Sequence, residues 1–149
     1  MSLDLHEAYR DALQERTAIA SLLSEWKGEP AVFTRRPAPD DAQFPMAFVS
    51  FPDQVTDMDG LTAKRPIVRS QIAFYGNKGA PGSAQDDTRD VEAMAVEART
   101  LFHRNRFAIS PSGFTVVDIQ VQGPMTAPVD DDSRVGRLIV VTTRLRNTT

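Results

Sequence analysis

The stretch Ile67-Val68-Arg69-Ser70-Gln71-Ile72-Ala73-Phe74-Tyr75 decides the fold. Val68, Ser70, Ile72 and Phe74 fall on one side, and Arg69, Gln71, Ala73 and Tyr75 on the other. A period of two with one apolar side is the mark of a half-buried strand. Gly76, Gly79, Pro81 and Gly82 then break the chain. Over residues 83–104 the period changes. Val91, Met94, Ala95, Ala98, Leu101 and Phe102 recur at helical spacing, which predicts the longest helix of the chain. Asp86, Asp87 and Asp90 gather at its start, and His103, Arg104 and Arg106 at its end, as the helix dipole favours. Ser83 with Asp86 three residues on resembles a capping box.

Outward from this strand–helix pair, both flanks read as sheet. After the helix, residues 114–122 place Thr115, Val117, Ile119 and Val121 on one face, and residues 134–146 carry the run Leu138-Ile139-Val140-Val141. The connection 123–133 is polar, so the two strands read as a long antiparallel hairpin. Before residue 67, residues 46–51 form an apolar strand bounded by Pro45 and Pro52, and residues 31–34 a short one ended by Pro37 and Pro39. Residues 53–64 are polar and read as a loop or part of a hairpin. At the N-terminus, Leu5, Ala8, Tyr9, Ala12 and Leu13 form one stripe of an amphipathic helix over residues 4–16. Ile19, Leu22 and Leu23 mark a second short helical turn, which Gly28 to Pro30 ends. Helices and strands do not alternate strictly. The pattern predicts an α+β domain over residues 1–149: a small mixed or antiparallel sheet of about four to five strands, with the long helix and the N-terminal helix packed on one face.

Composition narrows the function classes. The 149 residues are 41% hydrophobic and 25% charged, with net charge −3 and no Cys. A strongly basic nucleic-acid binder is excluded, as are disulfides, thiolate catalysis and Cys-ligated metals. No apolar run reaches the length of a membrane span. The N-terminus lacks a basic region followed by an apolar one, so no signal peptide is expected.

Candidate chemistry is sparse. Gly76-Asn77-Lys78-Gly79-Ala80-Pro81-Gly82 sits where a phosphate loop would sit, between strand and helix. It lacks both the Gly-Lys-Ser/Thr ending and the dinucleotide-binding glycine spacing, and acidic residues follow it. Asp57-Met58-Asp59-Gly60 fails as a calcium loop, because the sixth and twelfth positions hold Thr62 and Val68. His6 and His103 belong to no metal-binding motif and read as surface residues of helices. No nucleophile elbow is present. Neither catalysis, nor a cofactor, nor a metal is expected. Two features stand out for a partner. Arg35-Arg36 lies in a rigid basic segment with Pro37 and Pro39, and Asp130-Asp131-Asp132 sits at the tip of the final hairpin. Long polar connections of this kind in a small domain are commonly functional.

The order of elements resembles a known family. The features that carry the resemblance are the N-terminal amphipathic helix and the turn ending Ser21-Leu22-Leu23; the strand Val32-Phe33-Thr34-Arg35-Arg36-Pro37; the proline-bounded strand Phe44-Pro45-Met46-Ala47-Phe48-Val49; the strand Gln71-Ile72-Ala73-Phe74-Tyr75-Gly76; the helix from Asp90-Val91-Glu92-Ala93 to Leu101-Phe102-His103; and the closing Arg137-Leu138-Ile139-Val140-Val141-Thr142-Thr143-Arg144-Leu145. The chain looks like the tail-completion, or tail-terminator, proteins of long-tailed bacteriophages and prophage-derived particles. The family strand before the long helix often ends in Trp, where this chain has Tyr75.

The resemblance implies a structural virion protein, assembled in the bacterial host cytoplasm and located in the tail or neck. It implies a homo-oligomeric ring, commonly a hexamer, that caps the tail tube, ends its polymerisation and offers a joining surface to the head–tail connector. DNA passes through such a ring without specific binding. The negative net charge suits that passage. From the clustered charge at the hairpin tip, Asp130, Asp131 and Asp132 are expected toward the lumen or a tube-facing rim, and Arg35 and Arg36 are candidate partner contacts. The rival readings are another head-completion or neck protein of the same particle, and a non-catalytic α+β domain that binds a small molecule.

Overall fold

The structure, a computed structural model, describes residues 5–35, 38–50, 54–59, 64–78, 86–111, 113–129 and 133–147, with backbone only at 54–59, 64, 65 and 147. Among the described residues, three helices, α1 (Leu5–Glu15), α2 (Thr17–Ala20) and α3 (Thr88–Phe102), accompany eight strands. These are β1 (Glu25–Trp26), β2 (Glu29–Pro30), β3 (Val32–Phe33), β4 (Met46–Val49), β5 (Gln54–Asp59), β6 (Lys64–Asn77), β7 (Phe114–Thr126) and β8 (Arg134–Asn147). The fold is α+β.

β6 is the spine of the sheet. Its second half pairs antiparallel with β4 on one side, its first half pairs with β5 on that same side, and β8 runs along the other. The order is β3-β4-β6-β8-β7, with β5 continuing the edge below β4. β3 joins β4 in parallel, and every other pairing is antiparallel. β1 and β2 form a small separate hairpin.

The alternation in β6 decides the layering. Val68, Ile72 and Phe74 are buried on the side where the helices lie. There they meet Ile139, Val141 and Leu145 of β8, Tyr9 and Leu13 of α1, Ile19 of α2, and Val91, Met94, Ala98 and Phe102 of α3. Full burial of a Leu-, Phe- or Met-sized side chain contributes about 1.5–3 kcal/mol, so this cluster supplies most of the driving force. Tyr9 fixes α1 within it: its ring meets Phe102 edge-on at 4.9 Å, and its hydroxyl hydrogen-bonds the Thr143 hydroxyl.

The opposite face is not bare. Met46, Phe48, Ala73, Tyr75, Leu138 and Val140 form a second cluster, covered by Trp26, Phe33, Ala38, Ala42 and Phe44. Ala38, Ala42 and Phe44 come from the segment before β4, which the sequence pattern reads as a loop, and with Trp26 and Phe33 they form a lid on this cluster. Trp26, Phe33, Phe48 and Tyr75 step along it with ring centroids 5.4, 5.8 and 5.9 Å apart.

Within the stretch 53–64, read as a loop or part of a hairpin, residues 54–59 form one arm of a hairpin: β5 pairs antiparallel with β6 from Gln54–Arg69 to Asp59–Lys64. Three expectations change. The β7–β8 connection is shorter than 123–133, because Gly123 and Pro124 lie inside β7, at a register shift between Gln122 and Met125. The face assignment in β7 is also corrected. A register shift between Val116 and Asp118 breaks the alternation, so Val116 (6% exposed), Ile119 and Val121 face the core, while Val117 is 51% exposed. A bulge inserts one residue, and every side chain before it changes face. The long helix begins at Thr88 rather than 83; Ser83 lies outside the described residues. The N-cap is Asp87, and Asp86 before it accepts the Thr88 N–H at Oδ1, at 3.0 Å. No helix among the described residues is long and apolar enough to cross a membrane.

Candidate assembly surfaces

The end of the sheet where β6 stops and β8 starts brings together four segments far apart in sequence. Gly76 lets α3 close against β6: a β-carbon there would stand 2.5 Å from Asp87 Cβ and 2.8 Å from Val91 Cγ2. The corner is locked by two hydrogen bonds. The Asn77 N–H donates to Asp87 Oδ2 at 2.8 Å, and the Asp87 N–H donates to the Asn77 carbonyl at 2.7 Å. Lys78 N–H donates to the Ser133 carbonyl at 2.8 Å, which ties in the β7–β8 tip.

Arg134 is the junction residue. Its Nη1 donates to Asn77 Oδ1 at 2.6 Å, and its guanidinium lies 4.4 Å from the centre of the Phe44 ring. A planar, delocalised cation suits both contacts, since it stacks and hydrogen-bonds at once. On the outer side of Arg134 lies an open groove of about 1140 Å³. Its floor is Phe44, Met46, Phe48, Tyr75 and Leu138; its rim carries Arg35, Asp40 and Val129. On the helix side lies a second, charged hollow of about 1100 Å³, lined by Lys78, Asp86, Arg89, Asp90 and Arg137 among others. There Arg137 Nε meets Glu92 Oε2 at 2.7 Å, and the Thr88 hydroxyl and N–H hold the Asp86 carboxyl below its ordinary range.

Of the residues singled out from sequence, Arg35 is exposed and lines the outer groove. Arg36, Asp130, Asp131 and Asp132 lie outside the described residues. The flanks of the acidic run are placed: Val129 is 39% exposed, and Ser133 bonds to Lys78. Both histidines differ from their surface reading. His6 is 8% exposed, because it falls beside Leu5 on the buried side of α1. His103 ends α3, and its Nδ1 accepts the Val121 N–H at 3.1 Å. Among the described residues no three His, Cys, Asp or Glu side chains group as metal ligands.

Sequence reasoning missed Arg134, which reads there only as the first residue of a strand. It also missed the lid over the second cluster. The signal was the aromatic load of Trp26 and Phe33 just before, and Phe44 at the end of, the polar, proline-interrupted stretch 35–44.

A second surface lies on the β7 edge near the bulge. Arg104 N–H donates to the Ile119 carbonyl at 2.8 Å, which seats the α3–β7 connection against the edge strand. Arg104 Nη1 reaches Asp118 Oδ2 at 3.2 Å, and Asp118 lies opposite Arg144 in the ladder. Phe107, 80% exposed, projects from the same connection, with the Arg106 guanidinium 4.8 Å from its ring centre.

No family model matches the chain, and none of the curated proteins does. Among solved structures, the chain is similar to a chain of the virion of a native gene transfer agent particle. The TM-score is 0.72 at 17% identity, over 96% of this chain and 95% of that one. This chain therefore shares the fold of that virion component from end to end.

Proposed function

We propose that this chain is a structural assembly protein of a phage-type particle, which caps the tail tube as a ring, ends tube polymerisation and presents a joining surface to the head–tail connector. The observation that supports this most is the likeness of fold to a virion chain over nearly all of both chains. The element order that resembles tail-completion proteins points the same way.

The physical picture is that of a building block. Its two clusters leave an open groove at one end of the sheet and an exposed aromatic, Phe107, with the Arg106 guanidinium against its ring, in the connection that leads into β7. A cyclic ring needs two different patches on each copy. In this reading the chain has no catalytic role, needs no cofactor and forms a hexamer in the particle. It resides in the virion after assembly in the host cytoplasm. Arg35 at the groove rim, together with Arg36 and the Asp130–Asp132 run, faces partners.

The test is light scattering behind size exclusion over a wide concentration range, with and without purified tail tube protein. A ring mass, or a stable complex with the tube protein, supports the reading. A monomer that ignores the tube protein at every concentration refutes it. Binding to the connector alone would assign the chain to another neck position.

A further inference from the structure

We propose that the outer-face groove binds an extended protein segment with acidic residues at both ends and an apolar centre, its ends held by Arg134 and Arg35. The inference rests on the reading of this chain as an assembly protein, and names the chemistry of the partner segment that the groove takes.

The two cations belong to opposite ends of the groove. Arg134 lies opposite Asn77 in the β6–β8 ladder, with its guanidinium against Phe44. Arg35 follows β3, which runs parallel to β4 with Phe33 beside Phe48 and so leaves the sheet at the Val49–Ser50 end. The Ser50 N–H donates to the Gln71 carbonyl at 2.9 Å, which sets that end on β6. From Asn77 to Gln71 the strand advances about 20 Å. An extended segment of about six to eight residues covers that span. Between the ends the floor is apolar, built from Met46, Phe48, Tyr75 and Leu138.

The charge of the lining selects the occupant. Arg134 is held by neutral groups only: the Asn77 amide oxygen at 2.6 Å, the Ser133 hydroxyl at 3.4 Å and the Phe44 ring. Arg35 is exposed. Neither meets a carboxylate among the described residues, whereas Arg137 on the helix side is paired with Glu92. Arg134 is thus fixed in orientation with its charge still to be met, and a planar guanidinium in that state suits a carboxylate. Asp40 is the third charged residue of the lining, which leaves the groove at +1. In sequence Asp40 falls between Arg35 and Phe44, on the segment that returns along the groove. It disfavours acidic groups at the centre of an occupant and leaves them to the ends. A nucleic-acid strand fits this pattern poorly. It carries about one charge per 3.4 Å of its axis, against two cations about 20 Å apart. Phe48 and Tyr75, 8% and 9% exposed, offer little ring face for bases to stack on.

The experiment is fluorescence anisotropy of a labelled peptide of about eight residues, with two glutamates at each end and valine and leucine between, titrated with the full chain. Trp26, the one tryptophan of the chain, lies in the lid against Phe33 and gives a second, label-free signal. The peptide should bind saturably below about 1 mM, and more weakly as salt rises. A peptide with lysines for the glutamates, one with serines for the apolar residues, and a labelled DNA strand of about eight nucleotides should each bind at least about fivefold more weakly. Arg35→Glu should weaken the acidic peptide about five- to tenfold, and Asp40→Asn should tighten it about two- to threefold. Arg106→Gln, outside the groove, should leave it unchanged. Arg35, Asp40 and Arg106 are all exposed, so thermal midpoints should match wild type, which separates binding from folding.

No saturable binding of the acidic peptide overturns the proposal. So does equal or tighter binding of the lysine peptide or the DNA strand, or an affinity that Arg35→Glu and Asp40→Asn leave unchanged. In those cases a complex with tube protein would still stand, made through another surface. Peptide binding that follows the groove variants, in a chain that ignores tube protein, would keep this assignment and refute the capping role.

Discussion

Replacing Gly76 by alanine puts a methyl group where the corner between β6 and α3 has no room. The added carbon would stand 2.5 Å from Asp87 Cβ and 2.8 Å from Val91 Cγ2, against a comfortable carbon–carbon separation of about 3.5–4.0 Å. Neither neighbour yields easily. Val91 is fully buried, and Asp87 is held to Asn77 by hydrogen bonds of 2.8 and 2.7 Å. The start of α3 must move away by about 1 Å to reach normal contact. Overpacking of this kind costs about 1–3 kcal/mol, and loosening the Asn77–Asp87 pair adds about 1 kcal/mol. The expected loss is about 2–4 kcal/mol, a fall in thermal midpoint of about 5–15 °C for a chain of this size. Gly28→Ala is the control. That glycine has φ +82° with nothing within 4 Å of an added β-carbon, so only the backbone conformation is strained, at about 1 kcal/mol. Urea unfolding of both variants reads the difference. A Gly76→Ala chain within about 0.5 kcal/mol of wild type would refute the reasoning, since it would mean that the corner is open.

Three further outcomes follow from the core. Burial raises the Tyr9 hydroxyl pKa far above its ordinary value, so the folded chain resists its ionisation while the unfolded chain ionises near pH 10. The stability Tyr9 supplies is therefore whole below pH 10 and declines as pH rises above it. Tyr9→Phe should flatten that alkaline decline in urea midpoints, while costing about 1–3 kcal/mol at neutral pH by leaving the buried Thr143 hydroxyl unpartnered. Ser70 is 1% exposed, and its hydroxyl has no hydrogen-bond partner among the described residues, so Ser70→Ala should match or exceed wild-type stability; a loss above about 1 kcal/mol by chemical denaturation would show that the hydroxyl is satisfied. Arg99 Nη1 donates to the Val121 and Gly123 carbonyls at 2.8 and 3.1 Å, so Arg99→Met, which keeps the stem, should cost about 1.5–3 kcal/mol and speed amide exchange in β7 around the second register shift; unchanged exchange there would contradict this role.

The elements that the sequence pattern made legible are those whose periodicity serves a single purpose. β6 alternates because one side meets the helices, and α3 keeps its helical stripe because Val91, Met94, Ala98 and Phe102 all point at that same sheet face. β7 misleads for a physical reason. Its alternation is interrupted at Val117, and counting by twos from Thr115 gives the right face only beyond Asp118. No residue type announces a bulge of this kind. Residues 54–59 were legible only in part: a polar stretch allows a loop or part of a hairpin, and backbone pairing with β6, which leaves no periodic apolar signal, decides for the hairpin. The groove was invisible because Phe44, Tyr75, Arg134 and Leu138 meet only through tertiary packing. Arg35 was legible as a basic residue in a proline-bounded segment, and it does stand at the groove. Arg134 was not, because its role depends on Asn77 and Phe44 lying within reach. The exposed Phe107 could have been noticed: an aromatic that follows Arg104 and Arg106 just past a helix end, with no periodic partner, is a side chain that its own core does not claim.

The capping claim is tested most directly at the tube end itself. Tail tube protein would be polymerised with and without this chain, and the products viewed by electron microscopy. The account predicts a ring of this chain at one end of each tube and tubes that stop growing once it is bound. Tubes of unchanged length with no added density at either end would contradict it.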